Sequence, residues 1–432
     1  MYNIIRLNNG LRVVLEEIDY VNSVSVGLWV KNGSRNEDEY NNGISHFIEH
    51  MLFKGTYNRS SKDIAESVED LGGQLNAFTG KEATCYYIKI LDNHLELALD
   101  VISDMLFQSK FSQEDIEKEK GVVIEEINMT EDSPEDVLMD LHSEAIWGKN
   151  SIALPILGTI DTINSFYRNK IIDYVSSHYI PENCVLSIAG KFNINSIHKL
   201  IEKYFGHWES SNKQITTYEK PNIIKEHLFK KKNIEQLHIS LGLYGAELGS
   251  DDIYSLLLLN NILGGGTSSI LFQKIREEKG RCYSIYSYLS SFENTGIVSI
   301  YTGLNPKYSL EVVNLIKDEI KYFSNTKFSE AKLKKGKEQL KGSYILGLES
   351  TSSRMFNNGK SVLFSNKINK PLDIINKIDN IDTNKIHRVL NNTFKKGIIN
   401  SAYVGKNIDL NTIKIIIEDD TIPFKNSKTT LI

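Results

Sequence analysis

The segment His46-Phe47-Ile48-Glu49-His50 decides how the rest of this 432-residue chain is read. At about 100° per residue, His46, Glu49, His50 and Phe53 fall on one face of a helix, and Phe47, Ile48, Met51 and Leu52 fall on the other. One side packs and the other offers imidazoles. A merely solvated stripe would more naturally carry Lys, Glu or Gln, which favour exposed helix positions. Two imidazoles spaced i, i+4 can close on one Zn²⁺, and a carboxylate beside them can take a proton from water that the ion activates. The pattern points to hydrolytic chemistry.

A catalytic zinc site needs three protein ligands and one open position, so the third ligand has to come from another element. A helix is predicted to start at Phe111-Ser112-Gln113-Glu114-Asp115, with Ser112 as N-cap and an acidic first turn, and to run on to Ile127. Glu119 and Glu126, seven residues apart, share one face of it, whereas Glu125 points elsewhere. The HxxEH order, followed some seventy-five residues later by this Glu-rich helix, resembles the insulinase and pitrilysin type of zinc peptidase. Within that family it resembles the bacterial processing-peptidase-like enzymes and the beta subunit of mitochondrial processing peptidase. The resemblance covers nearly the whole chain. It implies His46, His50 and Glu126 as the ligands of one Zn²⁺ per chain, Glu49 as general base and Glu119 as support behind the ligands. Counting alone leaves Glu125 beside Glu126, and the spacing to Glu119 favours Glu126.

Composition bounds the rest. A chain of this length should form more than one domain, and 41% hydrophobic with 24% charged residues is ordinary for a soluble protein. No stretch approaches the ~18 consecutive apolar residues of a membrane-spanning helix. The N-terminus reads as a strand, Met1 to Leu7, a turn at Asn8-Asn9-Gly10 and a second strand to Glu16, and not as a signal or transit peptide. Three well-separated cysteines, Cys85, Cys184 and Cys282, suit a reducing compartment and make no CxxC site. A cytoplasmic location without membrane attachment is expected. A net charge of -5 argues against nucleic-acid binding. Lys230-Lys231-Lys232 reads as a solvated loop, and Gly264-Gly265-Gly266-Thr267 lacks the Lys of a phosphate-binding loop.

The chain repeats itself with a period of roughly 210 residues. Val24-Ser25-Val26-Gly27-Leu28 has its counterpart in Ile239-Ser240-Leu241-Gly242-Leu243, and Val185-Leu186-Ser187-Ile188-Ala189-Gly190 in Asn400-Ser401-Ala402-Tyr403-Val404-Gly405. Aligning Met51 with Ile262 puts Leu257, Asn260 and Asn261 where the first half has His46, Glu49 and His50, so only the first half can hold that metal. The polar stretch Glu209 to Pro221 marks the boundary. Alternating strands such as Ala83 to Leu91, next to periodic helices such as His94 to Gln108, predict an α+β fold. Two homologous domains are expected, 1–215 and 222–432, each a mostly antiparallel sheet with helices packed on one side.

Two further segments take their meaning from the resemblance. Leu271 to Tyr283 is similar to the family's second motif, in which an arginine and a tyrosine seven residues later reach the substrate from the domain facing the zinc; Arg276 and Tyr283 fit it. Two-domain members build their chamber from two chains, which implies a homodimer in which these residues complete the partner's active site. Gly72 to Thr79 resembles the family's exposed, substrate-pairing strand, which makes Asn76, Ala77 and Phe78 contact candidates. The expected protein is a zinc endopeptidase that encloses unfolded peptides. Its alternatives are a dedicated presequence-processing peptidase, a heterodimer with another chain, and a non-catalytic zinc-bearing assembly subunit.

Overall fold

A computed structural model describes residues 2–210 and 217–418. Strands form where the sequence alternates: β1 (Tyr2–Arg6), β2 (Arg12–Glu17), β3 (Ser23–Val30), β4 (Gln74–Thr79), β5 (Thr84–Leu91) and β6 (Cys184–Gly190). They make one sheet in the order β1-β2-β6-β3-β5-β4. The second half contributes β7 (His227–Lys231), β8 (Leu237–Tyr244), β9 (Ser284–Ser291), β10 (Gly296–Leu304) and β11 (Asn400–Gly405), in the order β7-β11-β8-β10-β9. Apart from the extra β1, the two orders are the same. Each sheet has one parallel pair, β2 with β6 and β7 with β11, in otherwise antiparallel surroundings. The α+β class and the duplication are therefore present in the topology, with mixed sheets.

Six helices bear on the site and on how the sheets are covered: α1 (Ile44–Leu52), α2 (Leu95–Gln108), α3 (Gln113–Asp132), α4 (Pro134–Trp147), α5 (Ile253–Gly264) and α6 (Thr351–Ser365). None among the described residues is long and apolar enough to cross a membrane.

The contiguous halves expected from the sequence are crossed by an exchange. The chain packs as two units, with breaks after Thr130, Gly148, Glu219, Lys341 and Ile374, so that α4 belongs with the second sheet and α6 with the first. The expected domain end at residue 215 lies outside the described residues. The physical reason is visible in the repeated strand. On β3, Val24, Val26, Leu28 and Val30 enter the main core of the first unit, which includes Phe47 and Ile48 of α1 and Leu99 of α2. The opposite face presents Ser25 and Gly27, and α6 lies on it: Ser25 Oγ is 2.9 Å from Thr351 Oγ1, and a Cβ on Gly27 would come within 2.2 Å of Met355 Sδ. Arg354 and Asn358 of the same helix bond the buried Glu16 carboxylate at 2.5 and 2.6 Å. On β8, Ser240 and Gly242 repeat the device for α4, with Ser240 Oγ 2.7 Å from His142 Nδ1. Each sheet thus carries, on a face lined by small residues, one helix from the other half of the sequence.

The expected solvated lysine loop is also corrected. Lys230 and Lys231 end β7, where they pair in register with Val404 and Gly405, and Lys230 and Lys232 reach the Glu131 carboxylate at 2.9 and 3.4 Å. Strand pairing and an acidic helix end override a polar composition.

Each exchanged helix can be tested. A Cβ on Gly359 of α6 would meet Trp29 Nε1 at 2.2 Å, so Gly359→Val should destabilise the fold by about 2 kcal/mol through overpacking, read as a lower urea midpoint. On α4, His142 is 2% exposed, and Asn400 Oδ1, 3.1 Å from Nε2, calls for the tautomer that accepts from Ser240. Burial pushes His142 down to about 4, with the Asn400 contact opposing. The imidazole is then neutral in the fold while the unfolded chain titrates near 6.5, so its contribution is complete above pH 6.5 and is lost as pH falls toward 4. The loss should reach about 3 kcal/mol, and His142→Gln should flatten this part of the stability-versus-pH curve.

Candidate metal centre

Helix α1 starts without a capping side chain of its own; Glu37, buried in the preceding loop, does that work. Its carboxylate accepts from the Gly43 and Ser45 backbone N–H groups at 2.7 and 2.8 Å and from Asn42 Nδ2 at 2.9 Å. The helix buries Phe47, Ile48, Met51 and Leu52 in the core, which sets the rotation about its axis and turns His46, Glu49 and His50 to the other side. Helix α3 is anchored by Ile116 and Val123 in the same core, with Glu119 buried and Glu126 partly exposed on one stripe.

The two helices bring the predicted ligands together. Glu126 Oε2 lies 3.7 Å from His46 Nε2 and 3.5 Å from His50 Nε2, and the three ligand atoms fall within 4.8 Å of one another. For bonds of about 2.1 Å to a tetrahedral ion, ligand atoms stand roughly 3.4 Å apart, so this donor set fits a small divalent transition-metal ion. Glu125 is exposed and outside the cluster. Burial, and after it the neighbouring His50, push His46 down to about 3, which leaves it neutral as a ligand must be. Burial also disfavours the charged form of His50, but Glu119, Glu126 and Glu49 outweigh it and raise the pKa.

Glu119 stands behind His50, with Oε1 2.7 Å from His50 Nδ1. Its other oxygen, Oε2, meets Lys54 Nζ at 2.5 Å, a partner without a sequence signal of its own, although Lys54 stands one helical turn after His50. Burial works against the Glu119 charge, but His50 and Lys54 hold the carboxyl below its usual range.

Glu49 sits between the imidazoles and the edge strand. Burial pushes its carboxyl above the usual range, the Thr79 hydrogen bond and His50 acting against it. Thr79 Oγ1 donates to Glu49 Oε2 at 2.5 Å, and Thr79 is the last residue of β4. β4 pairs only with β5 and is the free edge of its sheet among the described residues. Asn76 is exposed and Ala77 half-buried, while Phe78, 39% exposed, packs edge-on against Trp29 and Phe356. The turn after β4 is clamped: Ser34 and Arg35 donate backbone N–H groups to Gly80 and Lys81, and Arg35 NH1 meets Glu82 at 2.5 Å in a buried ion pair. Neither Thr79 nor this clamp had a sequence signal beyond ordinary hairpin composition.

Arg276 and Tyr283 belong to the other unit. There the Arg276 guanidinium lies 5.8 Å from the Tyr283 ring and 4.5 Å from that of Phe272, and Tyr283 is 76% exposed just before β9. In α5, which stands where α1 stands in the first unit, Asn260 Nδ2 donates to the Ser287 backbone at 3.2 Å. The side chain aligned with Glu49 thus serves packing there.

A duplicated α+β fold with two histidines and a distant glutamate grouped beside the half-buried Glu49 carboxylate defines the metallopeptidase class. Residues 12–160 match the insulinase model, peptidase family M16, and residues 165–340 match the peptidase M16 inactive domain. A Bacillus subtilis (strain 168) protein named an uncharacterized zinc protease is 45% identical over 387 residues, 89% of this chain and 94% of the relative. A Streptomyces coelicolor protein of the same description is 37% identical over 83% of this chain and 79% of its own. The chain belongs to the insulinase family, peptidase family M16. In fold it is similar to a protease from Helicobacter pylori, with a TM-score of 0.85 at 22% identity over 94% of this chain and 99% of that one. A Pseudomonas fluorescens structure described as a peptidase M16 inactive domain gives 0.86 at 16% identity, covering 94% and 98%.

Proposed function

We propose that this chain is a zinc-dependent endopeptidase that cleaves unfolded peptides in a closed chamber, with His46, His50 and Glu126 as ligands of one zinc per chain. The observation that carries the reading is the convergence of those three ligand atoms beside the Glu49 carboxylate. Zinc bound there supplies Lewis acidity and lowers the pKa of its water to about 7. Glu49, with a raised carboxyl pKa, is suited to take a proton from the attacking water and pass it to the leaving amine. Thr79 holds one Glu49 oxygen and leaves the other for that proton.

The substrate backbone adds to the free edge of β4 along Asn76, Ala77 and Phe78, which suits many sequences because every peptide offers the same N–H and C=O groups. Arg276 and Tyr283 reach the peptide from the partner chain of a homodimer. The exposed Tyr283 hydroxyl donates to the developing carbonyl oxygen. We place the protein in the cytoplasm.

Glu49→Gln should lower turnover of an unfolded fluorogenic peptide by at least about 10²-fold, with the zinc content by elemental analysis unchanged. Full activity in this variant would remove Glu49 as the base, and a zinc-loaded wild type that cleaves nothing would favour an assembly subunit. Cleavage-site mapping across unrelated peptides separates a general endopeptidase, which cuts many, from a presequence processor, which cuts one defined bond. Mixing His50→Ala and Tyr283→Phe chains after dissociation should restore about a quarter of wild-type activity, because half the dimers would be mixed and each would hold one intact site. No return of activity would mean that each chain completes its own site or needs a different partner.

A further inference from the structure

The support of the two imidazoles is unequal. His46 Nδ1 is buried without a hydrogen-bond partner among the described residues, whereas His50 Nδ1 rests on Glu119 at 2.7 Å. A ligand imidazole aims its coordinating nitrogen well only when the other nitrogen is held. The side-chain orientation of this centre is therefore set through His50, and Glu119 itself has to be held.

The Glu119 side chain is only 3% exposed, and its two oxygens have different partners, His50 on one and the Lys54 ammonium, at 2.5 Å, on the other. Lys54 lies beyond the end of α1, but the turn continues: the Phe53 and Lys54 N–H groups donate to the His50 and Met51 carbonyls, both at 3.1 Å. One turn of the same segment thus delivers a ligand and a cation to the two ends of one buried carboxylate. We propose that Lys54 is a positioning residue of the metal centre: it fixes Glu119 so that Glu119 orients His50 toward the ion. The inference rests on the assignment of His46, His50 and Glu126 as zinc ligands.

Without the ammonium, the buried carboxylate loses the partner that holds its second oxygen, so it swings away from its place behind His50 and no longer fixes the orientation of the Nδ1–H. An ordinary surface ion pair would leave metal affinity untouched. Zinc affinity of the metal-free protein, measured by competition with a chromophoric chelator, reads the difference. Lys54→Met should weaken zinc binding by about 10- to 100-fold, and Lys54→Arg should restore it to within a few-fold of wild type. In a Glu119→Gln background, Lys54→Met should cost nothing further. Far-UV circular dichroism checks folding, and if Lys54→Met fails to fold, Lys54→Gln makes the same comparison at this one-third exposed position. Wild-type affinity in Lys54→Met, or an equal loss with Glu119→Gln already present, overturns the inference while leaving the ligands in place. A wild-type protein that binds no zinc overturns the ligand reading and the inference with it.

Discussion

A carboxylate taken out of water costs several kcal/mol unless both its oxygens find charged or strong donors. Glu119 is in that position, 2% exposed where α3 crosses α1, and it finds His50 on one oxygen and Lys54 on the other. Swinging it away would leave a buried charge alone, so the contact fixes how the two helices meet side chain to side chain. Glu126, two turns further along the same stripe, is thereby brought within 3.5 Å of His50 and 3.7 Å of His46. Core packing of α1 and α3 and this polar contact behind His50 together assemble the donor set.

The same helix, α1, is fixed from two other sides. The Glu37 carboxylate satisfies the N–H groups of its first turn, which the macrodipole also favours. Thr79 then ties Glu49 to the end of an edge strand whose following turn is clamped by the buried Arg35–Glu82 pair. A peptide that paired with β4 would lie along a strand hydrogen-bonded to Glu49, the proposed base. Binding and proton transfer would share one rigid element, which keeps the loss of orientation small when substrate arrives.

The duplication explains why the second unit keeps its architecture without the chemistry. Its helix α5 retains the packing role of α1, but Asn260 spends its amide on the Ser287 backbone, and no imidazole faces it at the aligned positions Leu257 and Asn261. What both units kept is the small-residue face, Ser25 with Gly27 and Ser240 with Gly242, on which an exchanged helix lies. Backbone-close packing on glycine, with a serine hydroxyl available to the helix, is a constraint of the fold independent of any metal.

What depends on local spacing is legible in the chain alone. Imidazoles at i, i+4, a carboxylate between them and a seven-residue step between Glu119 and Glu126 have a fixed geometry on any helix. The period near 210 residues likewise carried the duplicated α+β class. Which surface meets which emerges only when the elements pack. That α4 and α6 cover the sheet of the other half could not be read, because their apolar periodicity fits either sheet, and the repeated Ser and Gly gain meaning only beside Thr351, Met355 and His142. Lys54 and Thr79 looked like an ordinary charged residue and an ordinary strand residue until Glu119 and Glu49 came within hydrogen-bond reach. Long-range polar contacts leave no periodic trace in a chain, and these are the contacts that set the site.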